Sequence, residues 1–128
     1  MGNVGYKFEQ NDSLKNSLLS VLNSKAWYQL LLMQFSEAEI TVKKGLSINP
    51  NDKYLLSNLP HTLLLQGNRF EEAKIEYMRM SAMDFDKKDL KNFREAFLED
   101  FRDFELYKCI PSNLKNDVEM IKKMLKGK

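Results

Sequence analysis

The sequence predicts an all-α fold, a helical solenoid (α-α superhelix) of about six helices in three antiparallel pairs. Phe35-Ser36-Glu37-Ala38 and Phe70-Glu71-Glu72-Ala73 repeat one pattern 35 residues apart. Self-similarity near this period marks helix–turn–helix units that bury their apolar faces on their neighbours. Apolar residues recur every three or four positions, and no segment shows the period-two alternation of a strand. Five Gly and three Pro in 128 residues leave room for long uninterrupted elements.

Residues 1–11 look irregular and are expected to form a loose start. Asp12 or Ser13 offers a cap to the first helix. Leu14, Leu18, Val21, Leu22, Ala26, Leu30 and Met33 then follow at helical spacing to about Gln34. Ser36 with Glu39 reads as a capping box, and the second helix runs to about Ile48 with Ala38, Val42, Gly45 and Leu46 inward. Pro50 stops it. Asp52 caps a third helix carrying Leu55, Leu56, Leu59, Leu63 and Leu64, which ends near Gly67. Pro60, well inside it, removes one backbone donor and predicts a kink. Asn68 with Glu71 reads as a second capping pair, and the fourth helix shows Ala73, Ile75, Tyr77, Met78 and Met80 to about Met83. The fifth helix is expected from Asp86, with Leu90, Phe93, Phe97, Phe101 and Phe104 as an aromatic stripe opposite a charged face. Ser112 caps a sixth, with Leu114, Val118, Ile121 and Leu125 inward.

The chain has one domain's worth of residues, 43% of them hydrophobic. Twenty basic and 18 acidic residues give a formal charge of +2, too small to announce a nucleic-acid protein. No run of 18 apolar residues suits a membrane, the first residues carry no basic-then-apolar leader pattern, and Cys109 is the single cysteine. A cytoplasmic protein that binds neither nucleic acid nor membrane is the expectation.

These residues resemble the tetratricopeptide repeat, a 34-residue helix pair. Repeat one would span 19–52, with Ala26, Phe35, Ala38, Val42, Gly45 and Pro50 at the signature positions. Repeat two would span 53–85, with Asn58-Leu59-Pro60, Gly67, Phe70, Ala73, Tyr77 and Met80. Residues 86–126 would supply a capping helix pair, so that 12–126 form one domain. Lys25, Gln29 and Met33 depart from the family pattern. The turn at Asn68/Arg69 holds one extra residue, and no Pro ends repeat two. From Trp27-Tyr28 through the Phe-rich helix, the chain is similar to a bacterial set of these proteins whose last regular repeat is followed by a longer phenylalanine-rich helix pair.

The resemblance implies a concave groove lined by the first helix of each repeat: Ser20, Asn23, Trp27, Leu30 and Leu31, then Tyr54, Ser57, His61, Leu64 and Leu65. Among these Asn23, Trp27, Leu31, Tyr54, His61 and Leu65 are the candidate partner-binding residues. Trp27 has two readings, packed on the fifth helix or exposed in the groove, and burial is the commoner state of an aromatic. No lysines occupy these positions to clamp a C-terminal carboxylate, which argues against the chaperone-tail-binding subclass.

His61 is the only histidine. No metal site is expected, because several His, Cys or carboxylate ligands at set spacing are wanting. Cys109 has no activating base beside it in sequence. Glu37, Glu39, Glu71 and Glu72 are expected in first turns, where they complement helix dipoles. The five lysines from Lys115 onward read as a solvated face. No phosphate-binding loop or nucleophile motif is present. The sequence therefore points to a module without catalytic activity or cofactor that holds a protein or peptide partner. The alternative is a structural domain that self-associates or belongs to a larger protein. The expected state is a monomer or weak homodimer.

Overall fold

The computed structural model describes residues 4–87 and 89–127, with side chains from Asp12 onward. Six α-helices lie in chain order: α1 (Val4–Leu31), α2 (Phe35–Ile48), α3 (Lys53–Leu65), α4 (Phe70–Met80), α5 (Phe93–Leu106) and α6 (Lys115–Leu125). A two-stranded antiparallel hairpin, β1 (Asp84–Lys87) and β2 (Leu90–Asn92), separates α4 from α5. A 3-10 turn at Ser112–Leu114 precedes α6. Among the described residues no helix is long and apolar enough to cross a membrane.

Consecutive helices pack as hairpins, α1 on α2 and α3 on α4, with α2 on α3 joining the two units. Ala38 and Ala73 are fully buried, as are Ala26, Val42 and Leu55. The small side chains of the three alanines let the helix axes approach closely. At Gly45 a Cβ would run into the methyl groups of Leu55, so an alanine there would force that buried side chain to shift. Helix α5 lies across α3 and α4, and α6 packs on α4 and α5. Most of the core is one cluster that includes Leu30, Leu64, Tyr77, Phe97, Phe101, Phe104 and Ile121, and a smaller one gathers Leu19, Ala26, Val42 and Leu55.

The structure corrects several expectations. The backbone is helical from Val4, so α1 begins eight residues before Asp12; residues 1–3 lie outside the described residues. Asp12 and Ser13 are inside that helix rather than at its cap. Leu14, Leu18, Val21 and Met33 face water, and the inward face is Leu19, Leu22, Ala26 and Leu30. Ile75 is also exposed. Helix α3 continues through the buried Pro60 without a break. Asp52 caps α3, accepting from the amides of Tyr54 and Leu55 at 3.1 and 3.0 Å. The other expected side-chain caps, at α2, α4 and α6, are not formed.

The fifth helix starts at Phe93, not Asp86, because a hairpin takes the intervening residues. Asp84 pairs with Asn92 and Lys87 with Leu90, one residue out of step. Asp86 absorbs the extra residue at φ +58°, a left-handed conformation that Asp tolerates better than most residues. Asn92 caps α5 by accepting from the Glu95 amide at 3.0 Å, and Glu95 reaches back to the Lys91 amide at 2.7 Å. The carbonyls of Met83 and Ser81 accept from the amides of Phe93 and Arg94. The first turn of α5 therefore leaves few orphan donors.

Glu39, expected to serve a helix terminus, instead ties the two hairpins together. It is 8% exposed. Arg69 donates to it at 2.6 Å, Gln66 at 2.8 Å, and Lys43 pairs at 2.7 Å. Burial opposes its charge, but hydrogen bonds from Arg69, Lys43 and Gln66 outweigh it and hold the carboxyl at about 2, against the usual 4.5. A depressed pKa contributes stability above pH 4.5 that is lost as pH falls toward 2. The loss from this group is on the order of 2–3 kcal/mol. Denaturant unfolding as a function of pH should show a shallower decline between pH 4.5 and 2 for Glu39→Gln than for the wild type. Equal slopes would mean that the cluster does not carry the acid sensitivity.

Candidate functional site

A cleft of about 260 Å³ between the α1/α3 face and the wall made by α5 and the hairpin combines charge with aromatic surface. Asn23 and Trp27 enter from α1, and Tyr54, Ser57 and Asn58 from α3. Phe85, Lys87 and Leu90 enter from the hairpin, and Ala96, Glu99, Asp100 and Asp103 from α5. Helical spacing explains the placement. Asn23 and Trp27 stand one turn apart on α1, and Glu99 and Asp103 one turn apart on α5, so each pair shares a face.

The side chains are fixed from behind. Trp27 is half-buried, its ring 5.3 Å from that of Phe104 at an interplanar angle of 30°. One part of Trp27 thus packs on the fifth helix and another lines the cleft. Asn58 donates to Asn23 at 3.1 Å, bridging α3 and α1 at the floor. Tyr54, 40% exposed, meets the edge of Phe85 at 5.6 Å. Lys53 Nζ lies 5.4 Å from both ring centres and donates to the Asp86 carbonyl at 3.0 Å. The cleft thus has an acidic wall on α5 and a lysine-bearing rim at the hairpin.

Beneath it lies the most polar part of the interior. His61 is fully buried and surrounded by Phe97, Phe101, Phe104 and Tyr77, with ring centres 4.9 to 5.6 Å away. Its Nε2 is 3.0 Å from Asp100 Oδ2, and its Nδ1 is 2.6 Å from the Tyr77 hydroxyl. A carboxylate can only accept, so Nε2–H donates to Asp100 and Nδ1 accepts from the Tyr77 O–H. Burial pushes the Tyr77 hydroxyl well above its usual pKa, so it keeps the proton that it donates. Burial also raises the pKa of Asp100, against the opposing hydrogen bond from His61. The Asp100 side chain remains 21% exposed, at the cleft floor.

The candidate residues separate into two groups. Asn23, Trp27 and Tyr54 line one cleft, and Ser57 joins them. His61 and Leu65 do not; at 0% and 1% exposure they belong to the core, because α5 closes over that part of α3. Leu64 is buried for the same reason, Leu30 is buried where α1 packs on α2 and α3, and Leu31 packs against the core from its edge. Cys109 is buried, its thiol donating to the Phe104 carbonyl at 3.6 Å, and burial raises its pKa. Among the described residues no three His, Cys, Asp or Glu side chains gather as a metal site.

The sequence reading passed over the α5 carboxylates and the hairpin. A signal for Asp100 was present: it stands three residues after Phe97 and four before Phe104, inside the aromatic stripe rather than opposite it. An acid at such a position must be paired or reach solvent, and Asp100 does both.

No protein-family model, no curated protein and no solved structure matches the chain.

Tyr77→Phe keeps the ring and deletes the donor to His61 Nδ1, leaving a buried acceptor unpaired. The expected loss is about 1–3 kcal/mol of unfolding free energy, measured by urea denaturation. An unchanged midpoint would show that the hydroxyl does not serve His61.

Proposed function

We propose that the chain is a short tetratricopeptide-type α-solenoid without catalytic activity that holds a peptide or protein partner in the cleft between α1, α3 and α5. The observation that carries this reading is the convergence of Asn23, Trp27, Tyr54 and Ser57 on one open cleft. They come from the first helices of two units whose second helices bury Ala38 and Ala73. Two units are fewer than a solenoid usually needs, and α5 with α6 supplies the third layer.

The chemistry of the walls narrows the partner. Glu99, Asp100 and Asp103 face Trp27 and Tyr54 across the cleft. Carboxylates opposite aromatic rings suit a lysine or arginine side chain, which gains charge pairing on one side and ring contact on the other. An extended peptide with a basic residue fits these walls. His61 has the partners of an acid–base relay, but both its nitrogens are engaged and the ring is fully enclosed. It therefore positions Asp100 rather than meeting a ligand.

Trp27 is the only tryptophan, so its fluorescence reports on the cleft directly. A lysine- and arginine-containing peptide should change the emission saturably, with affinity falling as salt rises. A peptide of the same length carrying glutamate in place of the basic residues should not bind. A Glu99→Gln, Asp103→Asn double variant should lose at least about tenfold in affinity with its melting temperature unchanged. Equal response to both peptides, or an unaffected double variant, would remove the reading.

A further inference from the structure

Helix α1 carries two apolar faces, and only one is used by the fold. Leu19, Leu22, Ala26 and Leu30 are buried on α2 and α3. Leu14, Leu18, Val21 and Tyr28, with Leu32 in the turn just past the helix end, form a second stripe and are 66%, 42%, 61%, 63% and 67% exposed. Lys25, also exposed, completes the row. Positions 14, 18, 21, 25, 28 and 32 alternate steps of four and three, the spacing of a helix that pairs with another helix along one seam. Helix α1 is also 28 residues long against 14 for α2, and every side chain from Asp12 to Leu18 is exposed. Among the described residues the Asp12–Leu18 segment packs against no other element, although helices in water draw most of their stability from packing.

The stripe is symmetric about position 23. Leu14 and Leu32 are equally distant from it, as are Leu18 and Tyr28, and Val21 and Lys25. An antiparallel two-fold pairing of the helix with its own copy requires this property: if one residue meets a second across the axis, the second must meet the first. We propose that the stripe is a homodimer interface, in which two copies pair antiparallel through α1 about a two-fold axis at the level of Asn23. Leu14 then packs on Leu32 of the other copy and Leu18 on Tyr28. Lys25 lies along Val21, its methylenes on the apolar seam and its ammonium in water. A parallel pair in register would set Lys25 against Lys25 and is disfavoured by like charge.

Five such side chains, each exposing on the order of 100 Å², give about 1,000 Å² over the two copies, the lower limit for a specific interface. The dimer is therefore reversible. It is also independent of the cleft, since Asn23 and Trp27 point away from the stripe on another face of α1.

Light scattering and sedimentation equilibrium from micromolar to millimolar chain concentration test the proposal. The wild type should pass from monomer to dimer. Leu18→Glu and Tyr28→Glu should each weaken association at least about tenfold, with helical circular dichroism and melting temperature retained, because neither side chain is in the core. Leu14→Cys mixed with Leu32→Cys under mild oxidation should give the mixed disulfide in preference to either same-residue disulfide. The native Cys109 is buried and does not compete. A chain that stays monomeric to millimolar concentration overturns the proposal. So does a Leu18→Glu variant that associates like the wild type, or a predominance of same-residue disulfides.

Discussion

An imidazole with both nitrogens engaged sits where α3, α4 and α5 meet. His61 comes from α3, Tyr77 from α4 and Asp100 from α5, so its two hydrogen bonds join three helices at one point. Around it, edge-to-face contacts with Phe97, Phe101 and Phe104 bring more of α5 onto the same centre. Each aromatic pair adds about 0.5–1.5 kcal/mol beyond its buried area. The polar pair confers specificity. An imidazole in an aromatic interior is tolerated only with both nitrogens satisfied, and here the two partners come from α4 and α5, so its hydrogen bonds tie both helices to α3.

That packing in turn makes the cleft. Phe104 on the inner side of α5 supports Trp27, and Asp100, held by His61, places a carboxylate at the floor. The same helix that completes the core closes over Leu64 and Leu65 and leaves Asn23, Trp27 and Tyr54 accessible. The α1 end of the helical stack is different. Among the described residues no further helix lies outside α1, which retains an apolar stripe, whereas the segment of α6 at the other end turns Lys115, Lys123 and Lys126 to water.

Much of the helical plan was legible because it rests on local chemistry. Asp52 before an apolar run gave the start of α3, and the spacing of Phe93, Phe97, Phe101 and Phe104 gave the inner face of α5. Ala38 and Ala73 marked the close approaches. What escaped depended on contacts distant in sequence. Helix α1 is apolar on two faces, so periodicity could not say which would be covered. The residues before Asn92 were read as helix because they lack the Gly or Pro that usually marks a hairpin, and a left-handed Asp86 took that role. Asn92 with Glu95 was a capping signal hidden within the wrongly extended helix. His61 was assigned to the groove by its repeat position, and only the path of α5 shows that it is enclosed. Glu39 fitted a capping pattern but is drawn inward by Arg69, thirty residues away.

The dependence of the fold on the His61 junction is tested most directly by native-state hydrogen exchange. If the junction makes α3, α4 and α5 one cooperative unit, the amides of Leu63–Leu65, Tyr77 and Phe101–Phe104 should exchange with one common opening free energy, equal to that of global unfolding. Faster, independent exchange of α5 while α3 and α4 stay protected would contradict the account.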